Sequence, residues 1–288
     1  MDVQPHLLNL SAYINQNLEK DLPLSTLAKR VGLSPFHFHR KFGAYFGESL
    51  HQHIKRLRLE RAAFALTHGS SPVRQIARDS GYKTVSAFSH AFSGFAGESP
   101  TRYRSLAANG DDRGAAASEG ALEPAWIGGL DAQDFLFIRA MGEGRDVQHS
   151  VREAIDLVMK LVGPIAPPDV GDGRSDDDVA SLDCIAATSD IYGISKGGEF
   201  RVDVGLDANR VPAERTELLG RQSLPGGRYA RFDVRGRMED LAEHFARISL
   251  RDLQSRGETP RLAQYYVRFS NQTLDDVADY QLYVPLVG

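Results

Sequence analysis

Between Leu50 and Thr67 the sequence LHQHIKRLRLERAAFALT carries its apolar residues in two stripes. At 100° per residue Leu50, Ile54, Leu57 and Phe64 fall within about 80° of one another, and Leu59, Ala62, Ala63 and Leu66 fall on the opposite side. A helix that is apolar on two opposite faces needs a body to cover each. The flanking chain supplies the same pattern twice. Ala28 and Gly32 are followed by Phe38, Phe42 and Phe46-Gly47-Glu48-Ser49; Ala77 and Gly81 are followed by Phe88, Phe92 and Ala96-Gly97-Glu98-Ser99. The offset is 49 up to the glycine and 50 after it, so the second copy has one extra residue in its turn. A repeat of this length is a duplicated supersecondary unit. In each copy a short helix ends at the glycine, and a second helix begins at a capping residue, Ser34 (with Pro35 at N1) or Thr84. This predicts a helix-turn-helix written twice. A leading helix over His6 to Asn17 has Leu7, Leu10, Ile14 and Leu18 at helical spacing for packing on the first copy.

From Ala107 to Ala121 the chain reads AANGDDRGAAASEGA, small and polar without a hydrophobic period, the composition of a linker. Beyond it the pattern predicts strands at Ala125–Leu130, Phe135–Ala140, Cys184–Ser189, Phe200–Leu206, Leu218–Leu224, Tyr229–Val234, Tyr265–Phe269 and Tyr280–Pro285. Phe200, Val202, Val204 and Leu206 alternate with Arg201, Asp203 and Gly205, as in a half-buried strand. Helices are predicted at Val147–Val162 and Met238–Ser255, and the segment Gly163–Ser181 reads as a surface loop. A strand running to Gly142 and then a helix recurs as a strand running to Gly236 and then a helix, offset 94. The predicted fold class is therefore two domains. An all-α double helix-turn-helix over residues 1–106 is followed, after a linker at 107–121, by an α+β duplicated strand-helix-strand module over 122–288. Two pseudo-symmetric halves leave a concave groove between them, a usual place for a ligand.

Charge sharpens this division. Residues 1–106 carry 14 Lys+Arg against 7 Asp+Glu, and residues 107–288 carry the other 20 against 31, so a net +7 adjoins a net −11 within an overall −4. A basic third on an acidic remainder points to a nucleic-acid-binding module joined to one that does not bind nucleic acid. No apolar run approaches 18 residues, which excludes a membrane helix. The N-terminus lacks a basic-then-apolar signal, and the single Cys184 forms no internal disulfide, so a reducing cytoplasm is expected. Seven of the nine histidines precede residue 91, but His37/His39 and His51/His53 are i,i+2 pairs pointing about 200° apart, so no metal site is expected. No G-x-S-x-G, HExxH, P-loop or Rossmann pattern is present, and Cys184 lies in the apolar run LDCIAAT as a structural thiol. Neither an enzyme activity nor a cofactor is expected.

With Phe38 and Phe42 turned inward, Phe36 and Arg40 face outward, flanked by His37 and His39; in the second copy the outward positions are Ser86, Ser89 and His90. An exposed aromatic beside an arginine near a helix N-terminus suits a major groove, where Arg reads guanine and a ring packs on thymine methyls. The bridging helix, about 27 Å long at 1.5 Å per residue, brings the two units near the spacing of successive major grooves, roughly 34 Å.

Through LSTLAKRVGLSPFHFHRKF, RLRLERAAFAL and IARDSGYKTVSAFSHAFSGFAGESPTRYR, residues 7–104 resemble the AraC/XylS-type DNA-binding domain. That resemblance implies seven helices, double-stranded DNA as partner, and base-reading positions at Phe36, His39 and Arg40, then Val85, Ser86, Ser89 and His90. Through LPGGRYARFDVRG and DYQLYVPLV, residues 122–288 resemble a GyrI-like (Rob-type) effector-binding domain. This second resemblance implies a pocket for a small amphipathic or aromatic effector. Trp126, Tyr192, Tyr229, Tyr265 and Tyr266 are the aromatics available to it. Ala263 or Gln264 stands where such domains commonly carry a glutamate, which favours neutral or weakly charged ligands over permanent cations. Glu143 and Glu199 are the acids that could still reach the groove, Glu199 first.

The expected protein is a cytoplasmic transcription regulator, monomer or homodimer, that reads DNA and responds to a small molecule. Two other classes stay open at this point. One is a DNA-tethered ligand hydrolase; the other is a ligand-free DNA-binder whose second domain contacts a partner such as RNA polymerase.

Overall fold

A computed structural model describes residues 4–108, 122–143, 147–163, 183–188, 199–237, 240–270 and 278–288. Of the predicted linker 107–121, Ala107 and Ala108 are helical instead, continuing the helix from Pro100; its residues 109–121, residues 164–181 of the predicted loop and Tyr192 lie outside the described residues, as do the side chains of Glu143 and Glu199. The chain forms two compact units, one within Gln4–Asp111 and the other within Asp112–Gly288.

The first unit is helical throughout: α1 Pro5–Gln16, α2 Leu24–Arg30, α3 Pro35–Phe46, α4 Leu50–His68, α5 Val73–Asp79, α6 Val85–Ala96 and α7 Pro100–Ala108. Gly32 and Gly81, with φ of +68° and +80°, make the two turns that a side chain would strain. Ser34 and Thr84 cap α3 and α6 by accepting from the N–H of His37 at 3.3 Å and Ala87 at 3.2 Å. Phe38 and Phe42 in one copy, and Phe88 and Phe92 in the other, are fully buried. Along α4 Leu50, Leu57 and Phe64 are buried on one side and Leu59, Ala62, Ala63 and Leu66 on the other, with Ile54 half-buried. The start of α4 is closed by a capping box, Ser49 with Gln52.

The second unit contains β1 Trp126–Leu130, β2 Gln133–Glu143, α8 Val147–Val162, β3 Asp183–Thr188, β4 Glu199–Asp207, β5 Gly220–Leu224, β6 Gly227–Gly236, α9 Leu241–Arg247, β7 Tyr265–Ser270 and β8 Ala278–Pro285. All eight strands join one antiparallel sheet in the order β1-β6-β8-β7-β3-β4-β2-β5. Exchanging β1, β2, β3 and β4 for β5, β6, β7 and β8 reverses that order and leaves it unchanged. Each half lends its first strand to the other's edge, and β3 and β7 meet at the seam. The halves keep the 94-residue offset at β1/β5 (126 and 220), β2/β6 (133 and 227) and α8/α9 (147 and 241).

The predicted helix Met238–Ser255 is corrected in one respect. After α9 the chain widens into a π turn, Ile248–Asp252, then a 3-10 turn, Gln254–Arg256, closing at Gly257. The wide turn carries Ser249 and Asp252 inward. The Ser249 hydroxyl donates to the Tyr265 hydroxyl at 3.3 Å, and the Asp252 carboxylate accepts from the Leu122 N–H at 3.2 Å and pairs with Arg247 at 3.5 Å.

Candidate nucleic-acid interface and candidate ligand face

The polar ends of α3 and α6 are what the buried phenylalanines leave outside. On α3 Phe36 is 74% exposed, although it is a large apolar side chain, and His37, His39 and Arg40 beside it are exposed too. On α6 Val85, Ser86 and His90 are exposed and Ser89 is half-buried. Both helices present these residues in their first two turns, where the cap fixes the entry of the chain. A solitary exposed phenylalanine is ordinary on a surface; one flanked by two imidazoles and a guanidinium on a capped helix is a face built for an anionic, partly apolar surface. The 19 residues of α4 set the two faces apart by a rod of about 28 Å.

Beneath α3 lies a polar cluster that the hydrophobic pattern does not reveal. His53, fully buried, donates from Nδ1 to the Glu48 carboxylate at 2.9 Å, and its Nε2 lies 3.2 Å from Ser11 Oγ. Arg56 donates to Glu48 at 2.8 Å and to Glu60, also buried, at 2.7 Å. The network ties the α3–α4 turn to α4 and to α1. Burial alone would raise the Glu48 carboxyl, but hydrogen bonds from His53 and Arg56 outweigh it and hold the group down to about 2. The ring of His53 also meets Phe42 and Phe46, each at 5.3 Å. In the second copy the matching Glu98 pairs with Arg102 at the surface, at 3.0 Å. The first helix-turn-helix thus has a buried ion-pair network where the second has a surface pair. Two signals in the sequence point to the cluster: the S-x-x-Q capping pattern, which fixes the start of α4, and Arg56–Glu60 at i,i+4.

In the second unit the helices take one face of the sheet. Phe245 of α9 packs on Tyr265 at 5.4 Å and His244 on Tyr280 at 6.2 Å, while α8 lies against β2 and β4. The strand register puts Trp126, Tyr229, Tyr266, Tyr283, Arg268, Asp203, Arg139, Gln222 and Gln133 on the opposite face. Trp126, Tyr229 and Tyr266 lie on this one face, with Tyr229 and Tyr266 in contact at 5.7 Å. Tyr265 does not; successive strand residues alternate, and it is fully buried under α9.

This second face curls, and Tyr229, Tyr266 and Tyr283 are buried on it. Gln264, at the head of β7, donates to Gln222 of β5 at 3.1 Å, although four strand spacings, about 19 Å on a flat sheet, separate those strands. Gln222 in turn donates to Asp203 at 3.0 Å, and Asp203 receives the Arg139 guanidinium at 2.7 and 2.9 Å. Gln264 thus brings a neutral amide, not a carboxylate, to this second face. Its nearest carboxylate along this chain of bonds, Asp203, is already neutralised by Arg139. The Tyr229 hydroxyl donates to the Pro225 carbonyl at 2.6 Å. Among the described residues no group of histidines, cysteines and carboxylates is placed to hold a metal, and no helix is long and apolar enough to cross a membrane.

A family model described as a helix-turn-helix domain matches residues 27–105. The probable transcriptional regulator LumQ of Photobacterium leiognathi is 31% identical over 99 residues, which is 34% of this chain and 40% of LumQ. The regulatory protein SoxS of Escherichia coli K12 is 30% identical over 104 residues, 36% of this chain and 97% of SoxS. A solved transcriptional regulator from Chromobacterium violaceum, described by its AraC-type DNA-binding domain, is 27% identical, with a TM-score of 0.35 over 36% of this chain and 92% of that one. The chain spans nearly all of SoxS and less than half the length of LumQ.

Proposed function

This chain belongs to the AraC family of helix-turn-helix transcription regulators, and on that premise we propose that it reads DNA with α3 and α6 and responds to a small molecule held by its second unit. In this reading Phe36, His37, His39 and Arg40 enter one major groove and Val85, Ser86, Ser89 and His90 the next. The observation that carries it is the exposed Phe36–Arg40 face on a capped helix, repeated in outline on α6 and joined to it by the rod of α4. Each good bidentate contact from Arg40 to a guanine contributes about 1–3 kcal/mol of discrimination. Ser86 and Ser89 offer less, so α3 supplies most of the sequence preference.

For the second unit we propose a GyrI-like effector module. Its support is the palindromic strand order, with one face covered by α8 and α9 and the other curled and lined by Trp126, Tyr229 and Tyr266. Gln264 in place of an acid disfavours a permanent cation, since desolvating one without an opposing charge costs several kcal/mol and each tyrosine face returns about 0.5–2. We place the protein in the cytoplasm, consistent with the single buried Cys184.

Selection of duplexes from a random library by the full-length protein tests the reading. Two motifs about one helical turn apart, the better-defined one assigned to α3 by loss on Arg40→Ala, are the expected result. Recovery of no motif would overturn it.

A further inference from the structure

Arg268 stands on β7, one of the two strands at the seam, opposite Ile185 on β3. Its guanidinium lies 5.6 Å over the ring of Tyr283, and Nη2 donates to the amide oxygen of Gln133 at 2.7 Å. Other arginines of this unit have carboxylates: Arg139 has Asp203, Arg231 has Asp233 and Arg228 has Glu258. Arg268 faces none among the described residues, and its Nε is buried without a hydrogen-bond partner. Among the described residues this half-buried guanidinium meets a neutral amide and a ring and no anion, so none of them restores the hydration it has lost.

The surroundings say what kind of anion fits. Tyr266 and Tyr283 stack in parallel at 4.6 Å and 9°, and Tyr229 meets Tyr266 edge-on at 5.7 Å. The Tyr266 hydroxyl takes no hydrogen bond among the described residues; burial pushes it well above the usual phenol range, and the Arg268 charge offsets part of that. A second guanidinium, Arg261, lies 5.7 Å over Tyr229 on the far side of the trio and donates to the Gly226 carbonyl at 3.1 Å. Three rings thus lie beside two cations that have no carboxylate partner among the described residues.

We infer that this face binds a planar aromatic acid, with Arg268 and the Tyr266 hydroxyl holding its carboxylate and Tyr229, Tyr283 and Trp126 walling its ring. The inference rests on the reading of the second unit as an effector module and adds the charge of the ligand to it. A carboxylate on a guanidinium is a charge-assisted, directional contact, whereas an ammonium would meet Arg268 with like charge.

Calorimetric titration of the full-length protein with 2-naphthoate, 2-naphthalenemethanol, 2-naphthylmethylammonium and acetate decides it. The expected order is naphthoate at least tenfold tighter than the neutral alcohol, the ammonium weakest, and acetate without measurable binding because it lacks the ring. Arg268→Gln is expected to bring naphthoate to the level of the alcohol, Arg268→Lys to keep most of the preference, and Tyr266→Phe to lose a few-fold for naphthoate alone. Arg235→Gln, which alters an exposed pair with Asp279, is the control. Equal binding of naphthoate and alcohol, or an anion preference that survives Arg268→Gln, overturns the inference and leaves the effector reading standing. Tightest binding of the ammonium overturns it as well. Failure of all three naphthalenes to bind takes the effector reading down with it. If Arg268→Gln does not fold, the order of the four probes on the parent protein alone supports or overturns the inference.

Discussion

Replacing Glu48 by glutamine tests whether the buried network holds the first helix-turn-helix in place. The carboxylate accepts from His53 Nδ1 and from Arg56, and the substitution keeps its shape while removing its charge. The carboxyl stands at about 2 in the folded protein against an ordinary 4.5. That difference is worth about 3 kcal/mol, and solvent screening at the partly open side of the group brings it to about 2. Because the folded value is depressed, this stabilisation is fully present above the unfolded value and is lost as pH falls through the folded one. The parent should therefore exceed Glu48→Gln by about 2 kcal/mol at neutral pH, and the gap should close between about pH 4.5 and pH 2. For a unit of this size the gap is roughly 8–16 °C in melting temperature. Circular dichroism melts of residues 1–106, parent and variant, at neutral pH and at about pH 2 would read it. A variant that melts with the parent at neutral pH, or a deficit that persists undiminished in acid, would refute the role given to Glu48.

Arg40→Ala is expected to cost about 1–3 kcal/mol of DNA affinity and to relax one base position; equal weakening on every sequence would reduce Arg40 to a phosphate contact. Ser34→Ala removes a cap and should lower stability by about 1 kcal/mol, whereas Gly81→Val puts a β-branched residue at φ +80° with Cβ 2.8 Å from the Arg58 guanidinium and should cost about 1–3 kcal/mol. A Gly81→Val protein as stable as the parent would mean that the turn lies elsewhere. Gly205→Ala drives Cβ into the Leu136 carbonyl oxygen on the paired strand, so the second unit should lose its cooperative melt while DNA binding by the first survives; an unchanged melt would contradict this close approach.

The helical unit is legible in the sequence because its signals are local. Two stripes on α4, glycines at the turns, and Ser34 and Thr84 as caps each act within a few residues. What escapes is polar and buried: no hydrophobic period marks His53 or Glu60 as buried, and only the chain folding back from α1 and the α3–α4 turn puts Ser11 and Glu48 against His53. In the second unit the strands and the 94-residue repeat are visible in alternation and offset. Strand order is not, since pairing β1 with β6 and β5 with β2 is a long-range choice that no local period encodes. Tyr265 and Tyr266 show a limit of composition: both are aromatic, but the two-residue period lets only one face the groove. Gln264 stands out in the sequence for the acid it replaces, and its bond to Gln222 across four strands becomes visible only with the curl of the sheet.

The central claim is that two linked helices of the first unit read DNA, and the salt dependence of binding tests it most directly. Fluorescence anisotropy of residues 1–106 on the duplex selected by the full-length protein, and on a scrambled duplex, would be followed across salt concentration. Log affinity is expected to fall steeply and linearly with log salt on both as counterions are released. The selected duplex should bind at least about a thousandfold tighter than the scrambled one. Binding that ignores salt, or the same weak affinity for both duplexes, would contradict the account.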